Sequence, residues 1–335
     1  MKKAVLLSIC IATYNRPHAV KRLLESMVGQ ITPEVEVIVR DDSTTDETKR
    51  IVGKYGKLFP IAYIHGKKEG LDGAILFLTE RAGGKYIWWL GDDTLVPDAV
   101  VHVASLLTQH PELSFVWVNH RFMPSGTLAV DLGGDRFFGR NEEVLEEIVG
   151  GLGFISATII ERVRALSGLV RARAYLGSAF VNLHLALHVL AQKAPSYFLQ
   201  GPFLNSYPLT SEEIKAAILR GDILSKPSHA GTIRNDGFEV FGVTFRNIVL
   251  EFRDKFDRRS IRRILTRNFS HVWRGILVGW VGGWDSPHGK RFRLLRFYWS
   301  YSGAWVAFVC MLLPRPLVAL LYRFYIRLRK VLRYV

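Results

Sequence analysis

The first 120 residues alternate short apolar runs with stretches of helical periodicity, and this alternation limits the folds open to the chain more than any other feature. The apolar runs are Val5–Ala12, Val35–Val39, Ile61–His65, Tyr86–Leu90 and Leu113–Asn119. The helical stretches between them are Ala19–Val28, Thr45–Tyr55, Gly73–Ala82 and Pro97–Gln109. Continuous apolar runs of this length are typical of strands buried on both faces. Strands that alternate with helices predict a parallel sheet of βαβ units.

Acidic residues follow two of these predicted strands. The first acidic site, Asp41-Asp42, follows Val35–Val39, and the second acidic site, Asp92-Asp93, follows Tyr86–Leu90 after one glycine. Ligands of open α/β sheets bind beyond the carboxyl ends of the strands. Carboxylates at those ends favour a hydroxyl-rich ligand and a divalent cation, so the pattern predicts an enzyme that handles a nucleotide. Taken alone, each acidic pair is also compatible with a turn or a helix cap.

Three motifs occur in order, and together they resemble a known family. They are Ile9-Cys10-Ile11-Ala12-Thr13-Tyr14-Asn15-Arg16-Pro17, Val37-Ile38-Val39-Arg40-Asp41-Asp42-Ser43-Thr44-Thr45-Asp46-Glu47-Thr48 and Gly84-Lys85-Tyr86-Ile87-Trp88-Trp89-Leu90-Gly91-Asp92-Asp93. The series resembles the family 2 glycosyltransferases over roughly residues 4–120. The resemblance implies an inverting enzyme with an α/β GT-A fold, which is a Rossmann-like, mostly parallel sheet flanked by helices. The third motif is similar to the abequosyltransferase-like branch, which acts in bacterial O-antigen and surface-polysaccharide assembly.

The resemblance implies roles for the first acidic site. Asp41 and Asp42 are expected to bind the base and ribose of the donor nucleotide, and Thr13 and Tyr14 are expected to line the same pocket. A carboxylate accepts hydrogen bonds from a pyrimidine N–H or from ribose hydroxyls, and such charge-assisted bonds are stronger than neutral ones.

The second acidic site is implied to hold a divalent metal, Mg²⁺ or Mn²⁺. Asp92 is the expected metal ligand, and Asp93 is expected to contact ribose, metal or acceptor. Oxygen ligands suit such a cation, which would bridge the two phosphates of the donor. Leu90 replaces the first acid of the commoner Asp-x-Asp-Asp pattern, so the contact made by each carboxylate is open.

The catalytic base is not identified by the motifs. An inverting transfer needs a group that accepts the proton of the attacking hydroxyl, and the family usually supplies an aspartate from a helix of the second half. Residues 162–211 contain neither Asp nor Glu. The candidates are His184, on the predicted helix Phe180–Gln192, and Asp131 and Asp135, in the glycine-containing loop after the fifth strand. Imidazole titrates near neutrality, but a lone histidine on an apolar helix is more often structural.

The chain carries a formal net charge of +15, and its C-terminal part is basic. No acidic residue follows Asp285, whereas that stretch includes ten basic residues: Lys290, Arg291, Arg293, Arg296, Arg315, Arg323, Arg327, Arg329, Lys330 and Arg333. Within it, Phe297–Pro314 contains no charge and includes several aromatic residues. Aromatic and basic residues around a medium-length apolar run favour a segment in the membrane interface or a re-entrant hairpin. A spanning helix and a buried or oligomer helix are the alternatives.

These observations predict three regions: residues 1–120 bind the nucleotide-sugar, 121–225 bind the acceptor, and 226–335 form a basic helical region whose segment 297–322 associates with membrane. The expected enzyme moves a hexosyl or deoxyhexosyl group to a lipid-linked (polyprenyl diphosphate) saccharide. It is expected at the cytoplasmic face of the bacterial inner membrane, as a peripheral or monotopic protein. It is not expected to bind nucleic acid, and the sequence is compatible with an oligomer. The alternatives are a sugar-phosphate nucleotidyltransferase with a related fold and a basic nucleic-acid-binding protein.

Overall fold

The computed structural model describes residues 4–148, 151–207, 240–281, 301–314 and 316–321, together with residues 296, 298, 299 and 324. The rest of the regions predicted as 121–225 and 226–335 lies outside the described residues, as do residues 1–3. The described residues belong to two compact units. One unit contains residues 4–207 and Ile248–Ile261, and the other contains residues 240–247 and those from 262 onwards.

The helices and strands agree closely with the predicted alternation in the first 120 residues. The strands are β1 (Leu7–Thr13), β2 (Val35–Asp41), β3 (Ile61–His65), β4 (Tyr86–Leu90), β5 (Thr94–Leu95), β6 (Phe115–Phe122), β7 (Thr127–Leu128), β8 (Arg136–Phe138), β9 (Thr158–Glu161) and β10 (Ser196–Ser206). The helices are α1 (Pro17–Met27), α2 (Glu47–Tyr55), α3 (Gly70–Arg81), α4 (Ala99–Gln109), α5 (Asn141–Ile148), α6 (Arg162–Ala172), α7 (Val181–Leu190), α8 (Phe245–Glu251), α9 (Arg258–Val281) and α10 (Ser302–Leu312). Short 3₁₀ turns cover Ile155–Ala157 and Arg173–Tyr175.

The sheet has the strand order β3-β2-β1-β4-β9-β6-β10-β5, while β7 pairs with β6 and β8 with β10. Strands β1 to β4 pair in parallel, as do β6 and β10. Strand β9 lies antiparallel between β4 and β6, so the sheet is mixed where the alternation alone predicts parallel pairing. The predicted fold class, a mostly parallel sheet flanked by helices, is confirmed.

Helix α1 illustrates how the sequence forms these layers. Pro17 occupies its first turn, where the missing N–H of proline costs nothing. Its buried face consists of Ala19, Val20, Leu23, Leu24 and Met27. Most of this face joins one core cluster with the apolar residues of β1, β2 and β4. Full burial of one such large side chain stabilises the fold by about 1.5–3 kcal/mol.

Helix α7 is buried on nearly all sides, since every residue of Val181–Leu190 except His188 is buried. It packs against α6 and α3. The carboxylate of Asp72 in α3 accepts hydrogen bonds from the backbone N–H groups of Ala179, at 2.7 Å, and Val181, at 3.1 Å. This bond pair fixes the start of α7 to α3, although the two elements are about a hundred residues apart in sequence.

The second unit contains most of α9 and the whole of α10. The ring of Phe269 stacks on that of Tyr298 with centroids 4.3 Å apart, and the Tyr298 hydroxyl donates to the Gly242 carbonyl oxygen. One face of α10 leaves large apolar side chains in solvent: Trp305, Val306, Val309 and Leu312. Within the described residues, no helix combines the length and the apolar character needed to cross a bilayer.

Candidate active site

Three parallel strands bring the two acidic sites to one edge of the sheet. Thr13, the last residue of β1, is in register with Asp41 of β2. On the other side of β1, Ile11 is in register with Leu90, the last residue of β4. The loops that follow β1, β2 and β4 therefore begin at the same carboxyl edge, where open α/β sheets bind their ligands.

Asp41 is fully buried, and both of its carboxylate oxygens have protein partners. Oδ1 accepts a hydrogen bond from the Ser43 N–H at 2.9 Å, and Oδ2 accepts one from the Tyr63 hydroxyl at 2.8 Å. Burial and this bond to the carboxylate raise the pKa of Tyr63 above its usual range, so the phenol remains a donor. A nucleoside that binds here adds to, or displaces, these internal partners.

Asp42 forms a buried ion pair with Arg40. The Arg40 Nε lies 2.8 Å from Asp42 Oδ1, and both side chains are only 5% exposed. Asp42 Oδ2 also accepts from the Glu69 N–H at 3.2 Å, while Arg40 Nη2 donates to Glu69 Oε2 at 3.1 Å. The Arg40 guanidinium lies 4.3 Å from the centroid of the Phe77 ring. Arg40 thus joins β2, the segment after β3 and helix α3.

The loops after β1 and β2 are also bound to each other. The Thr13 carbonyl oxygen accepts from the Asp42 N–H at 3.0 Å. Asn15 donates its N–H to Ser43 Oγ at 2.8 Å, and its side-chain oxygen accepts from the Thr44 N–H at 2.9 Å. Asn15 adopts a φ of 51°, a left-handed conformation that asparagine tolerates better than most residues.

Tyr14 projects from the same loop towards the segment after β3. The Lys68 ammonium lies 4.1 Å from the centroid of the Tyr14 ring, a distance typical of a cation–π contact. Thr13 and Tyr14 therefore lie beside the first acidic site, and their expected role in lining a nucleotide pocket stays a prediction.

The two carboxylates of the second acidic site differ in environment. Asp93 is buried, with 5% of its surface exposed, and the hydroxyls of Ser156 and Ser206 hydrogen-bond to it. Burial nevertheless raises its pKa. Asp92 is 34% exposed at its side chain and forms an ion pair with Arg16, whose side chain is 24% exposed. Asp92 is therefore the carboxylate of this pair that faces solvent.

The donor atoms at Asp92 fit the predicted divalent cation. Within the described ranges, no group of three or more His, Cys, Asp or Glu side chains could hold a metal ion. Mg²⁺ commonly binds through one or two carboxylates together with substrate phosphates and water. A single accessible carboxylate at the carboxyl edge, supplemented by donor phosphates, meets that requirement.

His184 is fully buried in α7, and its Nε2 lies 3.4 Å from Glu251 Oε2. Its ring contacts those of Tyr175 and Phe252, each with a centroid distance of 5.2 Å. Burial lowers the pKa of His184, although Glu251 opposes this effect. An acceptor hydroxyl reaches such a ring only if the surrounding elements move, so this environment favours a structural role for His184.

Asp131 and Asp135 are exposed, and both bind Gln200 of β10. Asp131 Oδ1 accepts from Gln200 Nε2 at 2.8 Å, and Asp135 Oδ1 accepts from the Gln200 N–H at 2.8 Å. These bonds hold the loop between β7 and β8 against β10. The two aspartates therefore lie close together around Gln200, and their role as base stays a prediction.

Residues 8–146 match the family model described as glycosyl transferase family 2. This segment is a family 2 glycosyltransferase domain. Residues 1–349 of the S. aureus protein TarS, in complex with UDP, have a similar structure, with a TM-score of 0.62, 14% identity, and coverage of 87% of this chain and 78% of that TarS chain. At that identity the likeness shows the fold alone, and it confirms the predicted GT-A fold.

Two curated relatives each match about a third of this chain. The chondroitin synthase of Escherichia coli is 32% identical over 123 residues, which are 36% of this chain and 18% of that protein. The abequosyltransferase RfbV of Salmonella typhimurium is 30% identical over 115 residues, which are 32% of this chain and 34% of that protein. The chain thus spans about a third or less of the length of these relatives.

Several residues of the glycosyltransferase site were not predicted as site residues. They are Arg16, Arg40, Tyr63, Lys68, Ser156 and Ser206. Arg40 directly precedes the Asp41-Asp42 pair, so its charge was an available signal, whereas Arg16 stands in the first motif and adjoins no acidic residue in sequence. The other four contact the site from segments far away in sequence, and no local pattern marks them.

Proposed function

We propose that this protein transfers a sugar from a nucleotide-sugar donor to an acceptor hydroxyl, with inversion at the anomeric carbon. The observation that carries this proposal is the convergence of both acidic sites at the carboxyl edge of a family 2 glycosyltransferase domain. The UDP and UDP-GlcNAc complexes of TarS support a nucleotide-sugar as the donor class.

The reaction is a single displacement. The acceptor oxygen attacks the anomeric carbon, the bond from that carbon to the diphosphate breaks, and its electron pair leaves with the nucleoside diphosphate. The proton of the acceptor hydroxyl passes to a general base. Asp131, Asp135 and His184 are the candidates for this base, and the exposed carboxylates of Asp131 and Asp135 are the more accessible ones.

The chain's own residues bind and orient the donor. Asp41, Asp42 and the Thr13-Tyr14 pair are assigned to the nucleoside, with Arg40 and Tyr63 fixing the carboxylates. Asp92 would hold a divalent cation, Mg²⁺ or Mn²⁺, which would neutralise charge on the departing diphosphate. Asp93 is held by Ser156 and Ser206, so it braces the loop from which Asp92 projects, and its contact with ribose, metal or acceptor stays a prediction.

The proposed acceptor is a saccharide on a polyprenyl diphosphate, and the proposed process is bacterial surface-polysaccharide or O-antigen synthesis. The similarity to an abequosyltransferase supports this process. The basic sequence after Asp285 and the exposed apolar face of α10 support a protein held at the cytoplasmic face of the inner membrane, peripheral or monotopic.

A panel of nucleotide-sugars, each with and without Mn²⁺, tests the proposed donor. A ligand that binds only the native state raises the apparent melting temperature in a concentration-dependent way. The stabilising donor is then supplied to the protein with membrane lipid extract, and transfer to lipid is measured. Release of nucleoside triphosphate from the donor and pyrophosphate would instead indicate a nucleotidyltransferase.

The variant Asp92→Asn is expected to lose transfer by about a hundredfold or more, because it removes the carboxylate that would hold the cation, and with it the positive charge that would offset the departing diphosphate. Asp98→Asn is the matched control, since Asp98 is an exposed aspartate close in sequence whose left-handed φ of 62° asparagine tolerates. Both variants should keep the wild-type melting temperature within a few degrees. Full transfer by Asp92→Asn, or by the wild type in excess chelator, would contradict the proposed metal-assisted role.

A further inference from the structure

Arg16 connects two of the three strand ends at the site. It directly precedes α1, which follows β1, and its guanidinium forms an ion pair with Asp92, which follows β4. Both partners are partly exposed, at 24% and 34% of their side chains. The positive charge of Arg16 also lowers the pKa of Asp93, against the stronger effect of burial. One cation of the chain thus acts on both carboxylates of the second acidic site.

In this arrangement Arg16 and a metal ion would compete for the carboxylate of Asp92. Asp92 is the accessible carboxylate that a divalent cation would use, and in this structure its partner is the guanidinium. Two positive groups close to one carboxylate repel each other, so a metal ion that binds without a phosphate must displace Arg16 or accept that repulsion. A bound diphosphate relieves this competition, because its oxygens can bind both the Arg16 guanidinium and the metal ion. Arginine is well suited to that change, since its planar donor array binds phosphate in a bidentate manner.

We propose that Arg16 is an exchange residue that couples the binding of the donor diphosphate to that of the divalent cation. In the free protein Arg16 pairs with Asp92. When a nucleoside diphosphate binds, Arg16 turns to the phosphate oxygens and leaves the Asp92 carboxylate to the metal. The proposal rests on the proposed donor class. It gives a role to Arg16, which lies outside the two predicted acidic sites.

The exchange has a thermodynamic consequence. Metal alone binds weakly, nucleoside diphosphate alone binds moderately, and each increases the affinity for the other by the same factor, as linkage requires. A coupling of about tenfold or more is expected, within the usual range for coupled sites. Removal of Arg16 acts in opposite directions on the two ligands: it increases the affinity for metal alone and decreases the affinity for diphosphate alone.

The test uses Arg16→Gln and Arg16→Lys in the full chain. Binding of Mn²⁺ alone is measured by the electron paramagnetic resonance of free Mn²⁺. Binding of UDP, CDP, GDP and dTDP is measured by calorimetry with and without Mn²⁺. Arg16→Gln should bind Mn²⁺ alone several-fold more tightly and bind the preferred diphosphate about tenfold more weakly in metal-free buffer, with reduced coupling. Arg16→Lys keeps the charge and should lie between Arg16→Gln and the wild type in both measurements.

The matched control is Arg164→Gln. Arg164 also forms a partly exposed ion pair, with Glu161 at 2.6 Å, but Glu161 is in register with Tyr86 at the opposite end of β4. This control should leave Mn²⁺ and diphosphate binding unchanged. The proposal is overturned if Arg16→Gln binds Mn²⁺ alone no more tightly than the wild type, or if it binds the diphosphate equally well.

Failure of the proposed function gives a different result. If the wild type binds none of the four diphosphates, the proposed donor class is wrong, whatever Arg16→Gln does to Mn²⁺ binding. If Arg16→Gln changes Mn²⁺ and diphosphate binding as expected but the wild type transfers no sugar, the exchange by Arg16 stands without the proposed transfer. Circular dichroism spectra and melting temperatures of all variants confirm that they fold.

Discussion

At the scale of single residues, Arg40 shows how the donor edge is stabilised from within the protein. A buried carboxylate is tolerated only if it is paired and hydrogen-bonded, and Asp42 is paired with Arg40 and bonded to the Glu69 N–H. The guanidinium also leaves no space for a side chain at Gly66, where a Cβ would lie 2.7 Å from Arg40 Nη2. The segment after β3 is therefore shaped around Arg40.

The variant Arg40→Met should lower the free energy of unfolding by about 3–5 kcal/mol, because it leaves the Asp42 charge buried without its partner. The double variant Arg40→Met/Asp42→Asn removes that charge and should recover much of the loss. Urea denaturation measures both. Arg164→Gln, which breaks an ion pair that is partly exposed, is the control and should cost no more than about 1 kcal/mol. An equal loss in Arg40→Met and Arg164→Gln would contradict the structural role of Arg40.

The positions of Asp41 and Asp92 could be predicted from the sequence, because they depend only on where a strand ends. The contacts that hold the two loops could not. Asp41 binds Tyr63, which is 22 residues away, and Gly91, the neighbour of Asp92, binds Ser156, which is 65 residues away. Such pairs depend on which strands and turns become neighbours in the fold, and a single sequence does not contain that information locally.

At the scale of elements, α7 depends on a contact from another helix. A helix N-terminus has backbone N–H groups without intrahelical partners, and a local side chain usually accepts from them. For α7 the buried carboxylate of Asp72 accepts from the Ala179 and Val181 N–H groups. Burial raises the pKa of Asp72, although these N–H groups oppose that effect.

The variant Asp72→Ala should lower the free energy of unfolding by about 1–3 kcal/mol, since it leaves buried N–H groups without acceptors. Hydrogen exchange at the Ala179 and Val181 amides should become faster at the same time. Asp257→Ala is the comparison, because the exposed Asp257 accepts from the N–H of the exposed Arg259 at the start of α9. It should cost less, as water can replace an exposed acceptor. A smaller loss in Asp72→Ala than in Asp257→Ala would contradict the proposed link between α3 and α7.

Helices and strands could be predicted where the local sequence marks them, and not where contacts with distant segments decide them. Helix α1 and strands β1, β2 and β4 were predicted with small errors at their ends, because periodicity and length mark them. The apolar stretch Phe154–Ile160 is not one continuous strand, because a 3₁₀ turn precedes β9 within it. The Ser156 carbonyl in that turn accepts from Trp88 Nε1 at 2.7 Å, a contact that depends on β4. Helix α6 was not predicted, since its apolar face is defined by packing against α7.

At the scale of the whole molecule, the C-terminal region combines an excess of positive charge with exposed apolar side chains. Trp305, Val306, Val309 and Leu312 follow helical spacing and are between 46% and 65% exposed, so they form one face of α10. Apolar patches of this kind commonly mark interaction surfaces. The excess of arginine and lysine in the sequence on both sides of α10 favours an anionic lipid surface as the partner.

The triple variant Val306→Ser/Val309→Ser/Leu312→Ser should weaken binding to vesicles of phosphatidylglycerol and phosphatidylcholine by tenfold or more, because each replaced side chain loses about 1 kcal/mol or more of favourable burial. Cosedimentation measures this binding, and added salt should weaken it further for the wild type. The matched control is Val163→Ser/Val170→Ser, at two exposed valines of α6 that are 67% and 83% exposed. Because α6 carries no part of the proposed membrane face, that control should bind like the wild type. Cosedimentation of the triple variant at the wild-type level would contradict an interfacial α10. Release of the wild type from cell membranes by nuclease, but not by detergent, would instead indicate nucleic acid as the partner.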